Sequence, residues 1–188
     1  MNEVSINKNV KLSPHFTLGE VTKTSYQTSD GNIPSRVAIE NLKRLCVEWL
    51  EELRERYNSR YGDRREGVRR EVVRREGDEE NTDIPMVITS GYRSAEVNRL
   101  CGGSATSNHL TGCAVDIRCM GPEQLIRYAT ILLDLSDEKS HQAASELNPN
   151  TSCGNFDELL FEKRGSTYWL HFAVRPKENR RKIIFDCR

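Results

Sequence analysis

Between positions 107 and 116 the chain reads Ser-Asn-His-Leu-Thr-Gly-Cys-Ala-Val-Asp, and a lone histidine follows in Trp169-Leu170-His171. The informative frame is Ser107, His109, Gly112, Ala114 and Asp116, with His171 downstream. A histidine and an aspartate so spaced, joined by a distant second histidine, can give zinc three ligands and leave a fourth position open. That is the arrangement of a hydrolytic zinc site. His109 is expected in a loop and Asp116 on the strand after it, with Gly112 letting the backbone double back between them. Period-two alternation puts Ala114 and Asp116 on one side of that strand and Val115 and Ile117 on the other. The same rule groups Trp169, His171 and Ala173. Taken singly, a loop histidine usually caps a turn and a strand histidine is usually a satisfied core residue. The small residues at fixed intervals are what favour a metal.

The elements that must carry these residues can be read around them. Residues 12–34 read as an irregular start. Ser35 is a good N-cap after Pro34, and Ile39, Leu42, Leu45/Cys46, Trp49/Leu50 and Leu53 give one buried helical stripe through about Tyr57. Residues 58–83 are largely charged and read as a solvated insertion, either prolonging the helix or forming a loose excursion. A short strand is expected over Ile84–Ser90, a brief helix over 95–101 closed by Gly102-Gly103, and a polar loop over Ser104–Gly112. Cys113–Cys119 alternates as a strand, and Gln124–Leu135 is apolar at helical spacing. A polar connection containing His141 is expected over 136–155. Two strands, Phe156–Lys163 and Thr167–Val174, then meet at a tight turn of Arg164-Gly165-Ser166. From Arg175 a basic tail ends in Ile183-Ile184-Phe185. No internal repeat is visible.

Bulk properties bound the partners. With 188 residues the chain suits one well-cored domain. Lys plus Arg and Asp plus Glu both number 28, so no global basic field recommends nucleic acid or a membrane surface. Mean hydropathy is −0.67, and no apolar run is long enough to span a bilayer. The N-terminal residues lack the apolar core of a signal peptide, so the expected location is the cytoplasm until release. Six cysteines, at 46, 101, 113, 119, 153 and 187, would permit three disulfides but are then expected as buried free thiols, and no Cys-x-x-Cys pair suggests a structural zinc cluster.

Ser90-Gly91-Tyr92-Arg93, the Ser107–Asp116 frame and Trp169-Leu170-His171 occur in the order that resembles the zinc D-Ala-D-Ala carboxypeptidase superfamily. That superfamily includes phage L-alanyl-D-glutamate endolysins and D,D-dipeptidases and shares the Hedgehog-type fold. The opening His15-Phe16-Thr17-Leu18-Gly19-Glu20 resembles its phage and gut-bacterial branch. The resemblance implies a single α+β domain over 12–176, with a central antiparallel sheet flanked by helices, the charged insertion at 58–83 and a tail at 177–188. It implies one zinc ion per chain held by His109, Asp116 and His171, with Arg93 and Ser107 against the substrate. It further implies a monomeric peptidase acting on peptidoglycan stem peptides, as a carboxypeptidase or an endolysin-type endopeptidase, released from a phage, a prophage or the cytoplasm. Several relatives carry a carboxylate three residues before the last histidine ligand, where this chain has Tyr168. The alternatives for the general base are Glu158 and Glu162 on the preceding strand, and Glu162 is preferred. Tyr168 also leaves open a non-catalytic wall-binding or structural module that keeps the zinc site.

Overall fold

The computed structural model describes residues 7–62, 83–145 and 155–187. In chain order it contains α1 (Leu18–Val21), α2 (Arg36–Leu45), a π-helical stretch (Cys46–Leu50), α3 (Glu51–Tyr61), β1 (Ile88–Ser90), α4 (Ala95–Leu100), a 3₁₀ turn (Asn108–Thr111), β2 (Ala114–Cys119), α5 (Pro122–Ser145), β3 (Glu158–Arg164), β4 (Thr167–Ala173) and β5 (Lys182–Cys187). The fold is α+β, built on a five-stranded sheet ordered β1-β2-β4-β3-β5.

β1 to β4 pair antiparallel, whereas β5 runs parallel to β3 along the sheet edge. Asp116 lies directly opposite His171 across β2–β4, and Leu160 lies opposite His171 across β3–β4. Because side chains alternate, this register divides the sheet into two faces. Val115, Ile117, Leu159, Leu170 and Phe172 lie on one face and are all fully buried. Asp116, His171, Ala114, Ala173, Glu158 and Glu162 share the other.

The apolar face is covered by α2, α3 and α5. Ser35 caps α2 by accepting from the Ala38 N–H at 3.2 Å, and the stripe Leu42, Leu45, Cys46, Trp49, Leu50, Leu53 is buried as its spacing predicts. The helix continues through the π stretch, whose wider turn keeps Cys46, Trp49 and Leu50 on the core side. Trp49 meets Phe172 at 5.2 Å between ring centroids, and Tyr57 meets Tyr128 at 4.6 Å. Burial of each such side chain contributes about 1.5–3 kcal/mol.

Four expectations need correction. Residues 18–21 of the supposedly irregular start are a helical turn, fixed by a capping box in which Glu20 and Thr17 bond each other's backbone N–H. The expected strand over Ile84–Ser90 shortens to Ile88–Ser90. The helix expected to stop at Leu135 runs on to Ser145, so His141 is helical. Its polar second half is tied down by charge: Glu138 pairs with Arg56 at 2.7 Å, Asp134 with Arg60 at 3.5 Å, and Asp137 with Arg181 at 2.5 Å. Finally, the segment read as a tail supplies β5, which makes the sheet mixed, not wholly antiparallel, and stacks Phe185 on Phe161 at 4.4 Å.

Of the charged stretch, residues 58–61 extend α3, and residues 63–82 lie outside the described residues. Its two ends are joined where Asn58 Oδ1 accepts from the Ile84 N–H at 2.8 Å and Arg54 pairs with Asp83. Cys46, Cys113 and Cys119 are buried free thiols as expected, Cys101 is free but exposed just past the end of α4, and Cys153 lies outside the described residues. No described helix is long and apolar enough to cross a membrane.

Candidate metal centre

His109 is placed by its turn. Ser107 Oγ accepts from the His109 N–H at 3.4 Å and caps the 3₁₀ turn. Gly112 ends the turn at φ 70°, where a Cβ would stand 2.4 Å from the Ala38 carbonyl oxygen. Only glycine meets both demands. The loop carrying Arg93 is fixed in a similar way. A Cβ on Gly91 would lie 2.1 Å from Val21 O, and Tyr92 N–H donates to that same oxygen at 2.7 Å. Buried Asn32 braces this loop by accepting from Ser94 N–H at 2.7 Å and donating to Thr22 O at 2.9 Å.

Three donor atoms then converge. His109 Nε2 lies 3.2 Å from Asp116 Oδ1, His171 Nδ1 lies 2.9 Å from the same oxygen, and the two ring nitrogens are 3.2 Å apart. All three residues are buried. Four ligands around zinc at about 2.0–2.1 Å stand roughly 3.3 Å from one another in a tetrahedron, so these separations fit zinc after a slight widening. Two imidazoles and one carboxylate also suit zinc better than calcium or magnesium, which prefer oxygen. Three protein ligands leave one position for water or substrate.

The outer contacts fix which ring atoms point inward. His109 Nδ1–H donates to the Gly91 carbonyl at 2.5 Å, leaving Nε2 to face the centre. Arg93 Nη2 donates to Asp116 Oδ2 at 2.5 Å and its Nε donates to Ser90 Oγ at 2.8 Å, so Oδ1 alone faces the centre. Arg93 thus grips a ligand carboxylate, a contact that sequence reasoning had not foreseen. Burial pushes the His109 imidazole below its ordinary range. Burial also acts to raise Asp116, but His109 and His171 hold its carboxyl well below the usual range. For His171, burial opposes protonation, while its hydrogen bond to Asp116 and the facing carboxylate of Glu158 outweigh it and push the imidazole up to about 9.

The two candidate bases occupy different environments. Glu158 Oε2 accepts from Asn108 Nδ2 at 2.9 Å and stands 3.6 Å from His171 Nε2, and Glu158 Oε1 accepts from Arg180 at 2.8 Å. These contacts, His171 foremost, hold its carboxyl down. Glu162 lies opposite Trp169, whose indole N–H donates to it. Its carboxyl is pushed up by burial first and by the nearby Asp116 charge second. Tyr168, three residues before His171, faces away: an odd offset along a strand reverses the side, and its ring packs against the apolar core.

Asn108, Asp157 and Arg180 were not anticipated as part of this centre. They contact one another across tens of residues of sequence, with no local periodicity to announce them.

The family model described as Peptidase M15 matches residues 77–132, which include Gly91, Arg93, Ser107, His109 and Asp116 but not His171. No curated protein matches the chain. The family match over less than half of the chain, together with a buried His-Asp-His group able to hold a metal, supports the zinc D-Ala-D-Ala carboxypeptidase, or M15 peptidase, superfamily for this protein.

Proposed function

We propose that the chain is a zinc-dependent peptidase that hydrolyses amide bonds in peptidoglycan stem peptides. The observation that carries this reading is the trio of donor atoms beside Glu162, a carboxylate on the same sheet face with raised basicity. Zinc held by His109, Asp116 and His171 supplies Lewis acidity and lowers the pKa of water. Glu162 takes the proton from the attacking water and returns it to the leaving amine. The Trp169 indole orients Glu162 in its ionised form. Arg93 holds Asp116, and Nη1 is the guanidinium nitrogen through which it would meet a substrate carbonyl or carboxylate. Ser107 holds the His109 turn at the substrate side.

Glu158 is the poorer base because its oxygens are engaged by Asn108 and Arg180. Tyr168 no longer favours the non-catalytic alternative, since a carboxylate at that strand position would point into the core.

Digestion of purified peptidoglycan with and without a chelator, followed by mass spectrometry, tests the reading. Release of D-Ala identifies a carboxypeptidase, and cut stems identify an endolysin-type endopeptidase of the phage-associated kind. Glu162→Gln is expected to bind about one zinc per chain and release no fragment. Intact peptidoglycan after incubation with zinc-loaded wild-type protein would refute the proposal.

A further inference from the structure

The reaction above makes no use of Asp157, Asn108 or Arg180, yet these residues form a polar cluster beside the centre. Asp157 immediately precedes β3, and its side chain is 0 % exposed. A charge buried to that extent persists only when paired and hydrogen-bonded. Arg180, in the segment leading to β5, supplies the pairing: Nε donates to Asp157 Oδ1 at 2.8 Å and Nη2 to Asp157 Oδ2 at 2.6 Å. Nη2 also reaches Glu158 Oε1 at 2.8 Å, and the Arg180 backbone N–H donates to Asp157 Oδ1 at 3.1 Å. From the other side, Asn108 Nδ2 donates to Asp157 Oδ2 at 2.7 Å and to Glu158 Oε2 at 2.9 Å. Two adjacent carboxylates are thus bridged by one guanidinium and one amide, with the Arg175 guanidinium standing farther off, 3.7 Å from Asp157 Oδ1.

Both ends of this cluster reach the imidazoles. Asn108 is the neighbour of His109 in the 3₁₀ turn. Glu158 Oε2 faces His171 Nε2 at 3.6 Å, a buried ring nitrogen with no hydrogen-bond partner among the described residues. We propose that Arg180 is a positioning residue for the metal centre, acting through the Asp157–Glu158 pair on both histidines. Glu158 turns the His171 ring so that Nδ1 faces inward, and Asn108 anchors the turn that carries His109. The planar fork of arginine suits this task, because it binds Asp157 at two oxygens and reaches Glu158 with a shared nitrogen; lysine has no such fork. The segment first read as a basic tail therefore helps to shape the site.

This inference rests on the zinc-peptidase reading, so the test measures metal affinity directly. The full chain would be titrated with zinc against a chromogenic chelator, alongside circular dichroism to verify folding. Outer partners of metal-bound histidines typically alter affinity about 10–100-fold, and Arg180→Ala is expected to weaken binding within that range. Arg180→Lys should recover only part of the loss. Arg181→Ala, which removes an exposed pair with Asp137 on α5, should stay within about twofold of wild type by the same measure. Should Arg180→Ala fail to fold, Glu158→Gln decides: it keeps the shape, loses the charge facing His171, and should bind zinc about tenfold more weakly. In the zinc-loaded chain, the proton resonance of His171 Nε2–H should move upfield in Glu158→Gln relative to the wild type, because the charged acceptor facing it is gone. Wild-type affinity in both Arg180→Ala and Glu158→Gln would overturn the inference while leaving the peptidase reading intact. A wild-type chain that takes up no zinc would overturn both.

Discussion

Removing the indole N–H that donates to Glu162 isolates the role of this carboxylate better than deleting the carboxylate itself. Trp169→Phe keeps an aromatic ring opposite Glu162 across β3–β4 and removes one donor. A hydrogen bond to an ionised group contributes about 1.5–3 kcal/mol when well shielded. Glu162 and Trp169 are both part-exposed, so roughly half of that, about 1.1 kcal/mol, is the expected loss, equivalent to slightly under one pKa unit. The sign follows from what the indole favours. It stabilises the carboxylate, so its removal raises a pKa already pushed up by burial and by Asp116. A base works only when ionised, and the acid limb of kcat/KM against pH should therefore move upward by about one unit, with the plateau above it nearly unchanged. The assay is D-Ala or stem-fragment release across pH 4 to 9, with zinc content measured at each pH. An acid limb that stays in place or moves down, with zinc retained, would refute the assignment of Glu162 as base.

Glu162→Gln should lower kcat by about 10²–10⁴-fold, the usual contribution of a general base, with zinc affinity near wild type. Tyr168→Phe should leave kcat within about twofold, because the ring packs on the core side of β4; a large loss would place the tyrosine in the reaction. Gly112→Ala imposes a left-handed backbone on a residue with a side chain and drives its Cβ to 2.4 Å from Ala38 O. Calorimetry should show a cost of about 2–4 kcal/mol, or a fall in Tm of roughly 5–15 °C. Zinc affinity should rise with pH by about tenfold per unit between pH 6 and 8, because binding displaces one proton from His171, whose imidazole lies at about 9; a flat profile would contradict that protonation.

The legible parts of the sequence were those whose geometry is local. His109, Gly112 and Asp116 lie on one turn and the strand after it, and period-two alternation grouped Asp116 with Ala114 and His171 with Trp169 and Ala173; the β2–β4 register that sets Asp116 opposite His171 joins segments 55 residues apart and was not legible. The α2 stripe was legible for the same reason, each apolar residue being a neighbour of the next. The Thr17-x-x-Glu20 capping box was present as a signal and went unread because only four helical residues follow it. The far half of α5 was not legible, since its stability comes from ion pairs to Arg56, Arg60 and Arg181 on other segments. The contacts of Asn108 with Asp157 and Glu158 span 49 and 50 residues, a separation at which no periodic pattern survives. Arg93 was noticed, but its grip on Asp116 across 23 residues was not.

The position of the proposed base illustrates how the sheet allocates chemistry. In a strand, a carboxylate three residues before His171 would share the apolar face with Leu170 and Phe172, where ionisation is costly. Placing Glu162 opposite Trp169, two residues along from His171, returns a carboxylate to the metal face through the neighbouring strand. The tight turn at Gly165, with φ 59°, sets this register by letting Arg164 pair with Thr167. A slip of one residue would send Glu162 into the core and bring Phe161 or Lys163 to the metal face. Glu162 can therefore share a sheet face with His171 only because the hairpin turn holds β3 and β4 in this register.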